Sequence, residues 1–339
     1  MTTDRVTLAL PSKGAIADPT LNFLRDCGLR IEKPNPRQYT GTMPAVPSVD
    51  VLFQRVTDVV YKVADGTADL GVTGLDVVHE HPHSDLVVIH PDLQYGQCKL
   101  LVAIPEAWVD VETMADLADV ALDFREFKRT NLRIATTYPN KTRQFMHEQG
   151  IHHFTLVNAE GAIEAAPTIG YADIIVDLVQ TGTTLRENHL KALPDGVIVE
   201  SQACLIGNRR SLVERPEVLS ATRALLEQID GAIQGRDYSQ VTVNIRGEDA
   251  EQIARKVASS PITRGLQGPT IAPIYGNDGA SGQWHTVTII VPNKQLQPAI
   301  EHLRAIGGTQ AIAVPVRYVF LEQSATFARL QADLNENGR

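Results

Sequence analysis

The chain has 339 residues, 43% hydrophobic and 21% charged, with a formal net charge of −9. That length supports two or three domains with their own cores, and the acidic balance argues against a general nucleic-acid binder. Cys27, Cys98 and Cys204 lie too far apart for a metal or redox motif and suit a reducing compartment. With no leader-like start and no run near the ~20 apolar residues of a membrane span, a cytoplasmic protein without membrane partners is expected.

From the N-terminus, strand and helix patterns alternate, as in an α/β protein with mainly parallel sheets. Residues 6–10 read as a strand, followed by a helix to Cys27 that Asp18 or Thr20 can cap and Gly28 stops. Strands are predicted at 49–54, 70–74, 86–89 and 99–104, with helices over 57–64 and from Asp76. A second α/β unit starts near Pro105. In it, short helical pieces at 114–117 and 124–128 flank an irregular stretch, 132–136 and 154–157 are strands, and 140–148 is a helix. A short helix at 162–166 ends at Pro167, and 197–206 reads as a strand returning to the first unit. Two such lobes joined by two crossings predict a clamshell with its ligand cleft at the strand C-terminal ends.

Residues 216–234 form one long amphipathic helix with Pro216 in its first turn, and 237–239 a linker. The last hundred residues read as strand 241–245, helix 249–257, strands 271–275 and 284–291, helix 296–306 and strand 311–316. That βαββαβ order is the ferredoxin-like motif. It suits a small regulator or a partner subunit, or a plain oligomerisation role. The expected division is 1–104 with 191–236 as one lobe, 105–190 as the second, and 237–339 as the last domain.

The densest chemistry follows the apolar run Ala172-Asp-Ile-Ile-Val176. There Asp177-Leu-Val-Gln-Thr-Gly-Thr-Thr-Leu185 ends a strand in an acid and opens a helix expected over 185–190. Helix-start amides and the hydroxyls of Thr181, Thr183 and Thr184 can hold a phosphate, and Gly182 allows close approach. Asp177 is placed for sugar hydroxyls, so a phosphorylated sugar is the expected ligand. A capped helix behind a buried strand is the plainer alternative.

Other stretches are individually weaker. Lys13 and Gly14, after the first strand, can meet a diphosphate or be an ordinary surface turn. Arg55 can clamp a phosphate or simply end its strand exposed. Asp69, Gly71 and Thr73, in Asp69-Leu-Gly-Val-Thr-Gly-Leu-Asp76, suit a sugar or base edge, or a helix capped at Asp76. Glu164, beyond Glu160-Gly161, can face a reacting sugar carbon, help hold Mg²⁺, or occupy a first helical turn. His79, His81 and His83 lie in a wet, acid-rich loop, an unpromising metal site. No P-loop, GxGxxG or HExxH motif is present.

Taken together these segments resemble the ATP phosphoribosyltransferase family in its long form. The resemblance runs almost end to end: Leu10-Pro-Ser-Lys-Gly14, Ala68-Asp-Leu-Gly-Val-Thr-Gly-Leu-Asp76, Tyr95-Gly-Gln-Cys-Lys-Leu100 and Arg133-Ile-Ala-Thr-Thr-Tyr-Pro139. It continues through Glu164, Gly170, Ala172, Ile175 and Asp177 to Thr-Gly-Thr-Thr-Leu185, then Gly268-Pro-Thr-Ile-Ala-Pro273, Trp284 and Ile306-Gly-Gly. It implies a two-lobed, periplasmic-binding-protein-like catalytic core and an ACT-like, ferredoxin-like regulatory domain. Phosphoribosyltransferases of the ordinary fold carry two acids before the phosphate loop. Val176 stands before Asp177 here, in keeping with a different scaffold.

The activity implied is transfer of the phosphoribosyl group of phosphoribosyl pyrophosphate (PRPP) to N1 of ATP, giving phosphoribosyl-ATP and pyrophosphate with Mg²⁺ as cofactor. Histidine inhibition through the last domain, near Thr270 and Ala311, and assembly from dimer to hexamer are also implied. Glu164 and Lys13 become the catalytic candidates. Asp177, Thr181, Gly182, Thr183 and Thr184 become the PRPP site, and Gly14, Arg55, Asp69, Gly71 and Thr73 the nucleotide and phosphate side. Ala15 departs from the arginine common there in the family. A cytoplasmic regulatory paralogue that binds a nucleotide or amino acid without turnover is the competing reading.

Overall fold

The structure is a computed structural model that describes residues 5–35, 37–159, 161–275 and 281–336, the side chains of 281–283 aside. Glu160 lies outside the described residues. Contacts divide the chain into two compact units, Met1–Ala224 with Arg329–Arg339, and Leu225–Ala328.

The first unit holds two sheets. Six strands lie in the order Thr40–Thr42, Val49–Gln54, Val6–Pro11, Leu70–Gly74, Ala203–Asn208, Leu86–His90. The strands Val49–Gln54, Val6–Pro11 and Leu70–Gly74 run parallel, and Ala203–Asn208 is antiparallel to both its neighbours. The helix Val56–Ala64 buries Val59, Val60 and Val63 against this sheet, the apolar stripe that its spacing predicts. Five strands form the second sheet: Leu190–Ser201, Cys98–Pro105, Ile174–Val179, Leu132–Thr136, Phe154–Asn158. Met114, Leu117, Ala121 and Phe124 from the helix Met114–Glu126 and Met146 from the helix Pro139–Glu148 pack on it.

This is the expected two-lobed, periplasmic-binding-protein-like core, with several local differences. The strands Cys98–Pro105 and Leu190–Ser201 both belong to the second sheet, so the chain crosses between sheets at 91–97 and at Gln202, not near 105 and 190. The stretch read as irregular around 118–123 is continuous helix, because Thr113 and Asp116 close a capping box at its start. Neither Asp18 nor Thr20 caps the helix Ala17–Asp26; Ile16 holds the N-cap position, and the Thr20 hydroxyl donates back to its carbonyl at 2.6 Å.

The second unit contains the ferredoxin-like motif. Its sheet order is Thr270–Tyr275, Ser281–Pro292, Tyr238–Arg246, Gly308–Pro315, all antiparallel. In order of appearance that is 2-3-1-4, which the βαββαβ sequence produces when each helix crosses the same face. Val241, Val243, Ile245, Val287, Ile289 and Val291 alternate onto that face and meet Ile253, Val257, Ala299 and Leu303 of the two helices. The C-terminal helix Ala325–Glu336 was not anticipated; its Arg329, back in the first unit, donates to the Ile89 carbonyl at 2.9 Å.

Candidate active site

A cleft of about 470 Å³ opens in the first unit, lined from both lobes. One wall is the phosphate-loop segment. Ile174, Ile175 and Val176 are fully buried, paired on one side with the strand Leu132–Thr136, whose pairing stops at Val176. From Asp177 on, only the strand Cys98–Pro105 remains as a neighbour. Asp177, Leu178 and Val179 thus continue the strand while their free side faces the cleft. Asp177 is not the last strand residue, since the strand runs to Val179.

Gly182 follows with φ +72°, a left-handed conformation that turns the chain into the helix Thr183–Glu187. Thr181, Gly182, Thr184 and Leu185 line the cleft, and the Thr181 and Thr183 hydroxyls lie 3.1 Å apart. The helix expected over 185–190 is earlier and shorter. His189 adopts φ +56°, and Leu190 already begins the next strand. With so short a helix, exposed amides and hydroxyls dominate over the macrodipole.

Glu164, in the short helical turn Ile163–Ala165, also lines the cleft. Burial, reinforced by the negative charge of Glu164, pushes the Asp177 carboxyl up to about 6, against the opposing hydrogen bond from its neighbour's amide.

The opposite wall was not singled out from the sequence. Asp76, Val77, Cys98 and Tyr138 line it. The Asp76 carboxylate is buried and accepts from Tyr138 Oη at 2.5 Å and from Ser201 Oγ at 2.6 Å; Ser201 Oγ in turn accepts from the Asp76 amide at 2.9 Å. Gly74 makes room for this carboxylate, since a Cβ there would lie 2.3 Å from Asp76 Oδ1. Burial and the adjacent Asp76 charge hold the Tyr138 phenol far above its ordinary range, so it stays a donor. The same two causes push the Cys98 thiol up to about 11. An acid and a tyrosine in quoted motifs were the only sequence signal, and nothing local says that they meet.

The other expected residues divide. Lys13 and Gly14 are exposed beside the cleft-lining Ala15 and Ile16, and Gly14 has φ +95°. Arg55 is exposed at the N-cap of the helix Val56–Ala64, whose Val56 and Thr57 line the cleft. Asp69, Gly71 and Thr73 do not line the cleft. Asp69 stands before the start of its strand, whereas Gly74, its last residue, and Asp76, just past that end, reach the cleft. The Asp69 carboxylate is tied to Arg215 Nη1 at 2.6 Å and to the Thr7 amide at 2.9 Å. Gly71 is a packing residue, because a Cβ would lie 2.6 Å from Val59 Cγ1. The buried Thr73 hydroxyl donates to the Val56 carbonyl at 3.0 Å, holding the start of that helix.

Among the histidines, His81 Nδ1 meets Tyr61 Oη at 3.1 Å and His83 Nδ1 accepts from the Asp85 amide. No group of three or more potential metal ligands occurs among the described residues. In the second unit Thr270 and Ala311 do not converge. They lie on opposite edge strands, and Ala311 packs on the helix-covered core while Thr270 pairs with Thr288 on the open face.

A family model for ATP phosphoribosyltransferase matches residues 55–231, and one for the HisG C-terminal domain matches 235–318. The chain belongs to the ATP phosphoribosyltransferase family. Within that family it is 40% identical over 335 residues to ATP phosphoribosyltransferase 2, chloroplastic, of Arabidopsis thaliana, covering 98% of this chain and 81% of that one. The ATP phosphoribosyltransferase of Bradyrhizobium sp. is 35% identical, with 97% and 98% covered. Among solved structures, the ATP phosphoribosyl transferase HisG:HisZ complex of Thermotoga maritima has a chain that matches with a TM-score of 0.51 at 27% identity, covering 66% of this chain and 98% of that one.

Proposed function

We propose that this chain transfers the phosphoribosyl group of PRPP to N1 of ATP, releasing pyrophosphate, as the first step of histidine biosynthesis. The observation that carries the reading is the cleft in which Asp177 and the Thr181–Gly182–Thr184 turn face the Asp76–Tyr138 wall. In this reading Thr181, Thr183, Thr184 and the amide of Gly182 hold the 5-phosphate, and Asp177 accepts from the ribose hydroxyls. ATP lies against the Asp76–Tyr138 wall, and Lys13 and Arg55 meet phosphate oxygens at the rim.

The bond from C1 to the pyrophosphate oxygen breaks as the bond from adenine N1 to C1 forms, through an oxocarbenium-like transition state. N1 has no proton to lose, so no base is needed before attack. The anionic Glu164 and Asp177 favour positive charge at C1, and positioning accounts for the rest. The Glu164 charge raises the proton affinity of Asp177, and two such neighbouring carboxylates fit a divalent cation; Mg²⁺ bound with pyrophosphate near them would neutralise leaving-group charge.

Histidine inhibition belongs to the last domain in this reading. Because Thr270 and Ala311 lie on opposite faces of one sheet, both can touch a single histidine only where two copies meet, which accords with a dimer that assembles to a hexamer. A cytoplasmic location accords with three cysteines that form no disulfide. Incubation with ATP, PRPP and Mg²⁺ should yield phosphoribosyl-ATP by mass. Its absence under all conditions would favour the binding paralogue.

A further inference from the structure

The helix Pro139–Glu148 begins without a local cap. Tyr138 holds the N-cap position, and its side chain makes no capping bond. The first amides of a helix need an acceptor from outside it, and here the acceptor comes from the other lobe. Glu80 Oε1 accepts from the Asn140 amide at 2.8 Å and Oε2 from the Lys141 amide at 2.9 Å, while Asn140 Nδ2 donates to the Glu80 carbonyl at 3.1 Å. Glu80 is 1% exposed. It ends the helix Leu75–Glu80 one turn after Asp76, so both carboxylates lie on one helix face. One meets the start of the 139–148 helix, and the other meets Tyr138, the residue just before it.

Burying a carboxylate is costly unless its charge is met. Two amides and the positive end of a ten-residue helix meet this one. The cap exists only while the two lobes are apposed, so it ties the placement of Tyr138 to that apposition. Glu80 itself is not among the cleft-lining residues. We propose that Glu80 is a positioning residue for phosphoribosyl transfer, which fixes the cleft wall of Tyr138 and Asp76 by capping a helix of the opposite lobe. The inference rests on the transfer reading above, in which this wall faces the nucleotide.

Glu80→Ala and the near-isosteric Glu80→Gln test it by three measurements: amide exchange at Asn140 and Lys141, ATP affinity by calorimetry without PRPP, and kcat and KM for each substrate. With the wall released, the competent arrangement is only fractionally populated and apparent affinity falls by that fraction. Glu80→Ala should exchange those amides faster and raise the ATP Kd and KM about tenfold, with kcat and the PRPP KM changed by less than about threefold. Glu80→Gln keeps one acceptor oxygen and should fall between.

A merely structural role would lower the melting temperature without separating ATP from PRPP. ATP affinity within about twofold of the unchanged chain in both variants, or equal losses for the two substrates, would overturn the proposal. If Glu80→Ala does not fold, Glu80→Gln decides on the same criteria. An unchanged chain that makes no product, yet loses ATP affinity on substitution of Glu80, would remove the transfer reading and leave the wall-positioning role supported.

Discussion

Tyr138 donates its phenol to the buried carboxylate of Asp76 at 2.5 Å, joining residues 62 positions apart and from different lobes. Tyr138→Phe removes that donor and leaves Ser201 as the remaining side-chain donor to the carboxylate. A hydrogen bond to a buried charge contributes about 1.5–3 kcal/mol, so the melting temperature should drop by roughly 5 °C. Catalytic efficiency with ATP should fall about tenfold or more. Thermal unfolding and steady-state kinetics check both.

On the other wall, Asp177→Ala and Thr181→Val should act on PRPP. The expected outcome is at least a tenfold rise in PRPP KM, with ATP binding by calorimetry changed by less than about threefold. Equal effects on both substrates would contradict the division of the cleft.

Asp177 also predicts a pH dependence. Its folded pKa of about 6 lies above the ordinary 3.8. The stability it contributes is therefore fully present below about pH 4 and lost as pH rises through 6. Near neutrality the ionised carboxylate costs on the order of 2–3 kcal/mol. Asp177→Asn should raise the melting temperature at pH 7.5, leave it little changed at pH 4, and weaken PRPP use. In the unchanged chain kcat/KM for PRPP should decline below pH 6 as Asp177 takes up a proton.

Asp69 should behave in the opposite way. Asp69→Ala removes the buried carboxylate that meets Arg215 Nη1 and the Thr7 amide and leaves Arg215 to Glu217 and the Arg5 carbonyl, a change expected to cost about 1–3 kcal/mol. Stability should fall by that order in denaturant unfolding, while KM values in the folded fraction stay close to those of the unchanged chain.

Deleting residues from Tyr238 onward should abolish histidine inhibition in activity assays. The truncated chain also loses the bond from Arg329 to the Ile89 carbonyl, so a modest fall in melting temperature is expected with it. Retained inhibition in an active truncation would move the effector site into the catalytic core.

The alternation of strands and helices, the Asp177 to Thr184 cradle and the βαββαβ order were legible in the sequence alone. Each is written in residues close together along the chain: a period of two or 3.6, a glycine where φ is positive, a capping residue. Tertiary structure decided what depends on distant strands. It chose Asp76 over Asp69 for the cleft, because the strand between them has its C-terminal end there. Sheet order placed the strands Cys98–Pro105 and Leu190–Ser201 in the second lobe. The meeting of Tyr138 with Asp76, the capping of Asn140 and Lys141 by Glu80, and the separation of Thr270 from Ala311 have no local signature. Each is set by which elements pack together, and no spacing within one element encodes that.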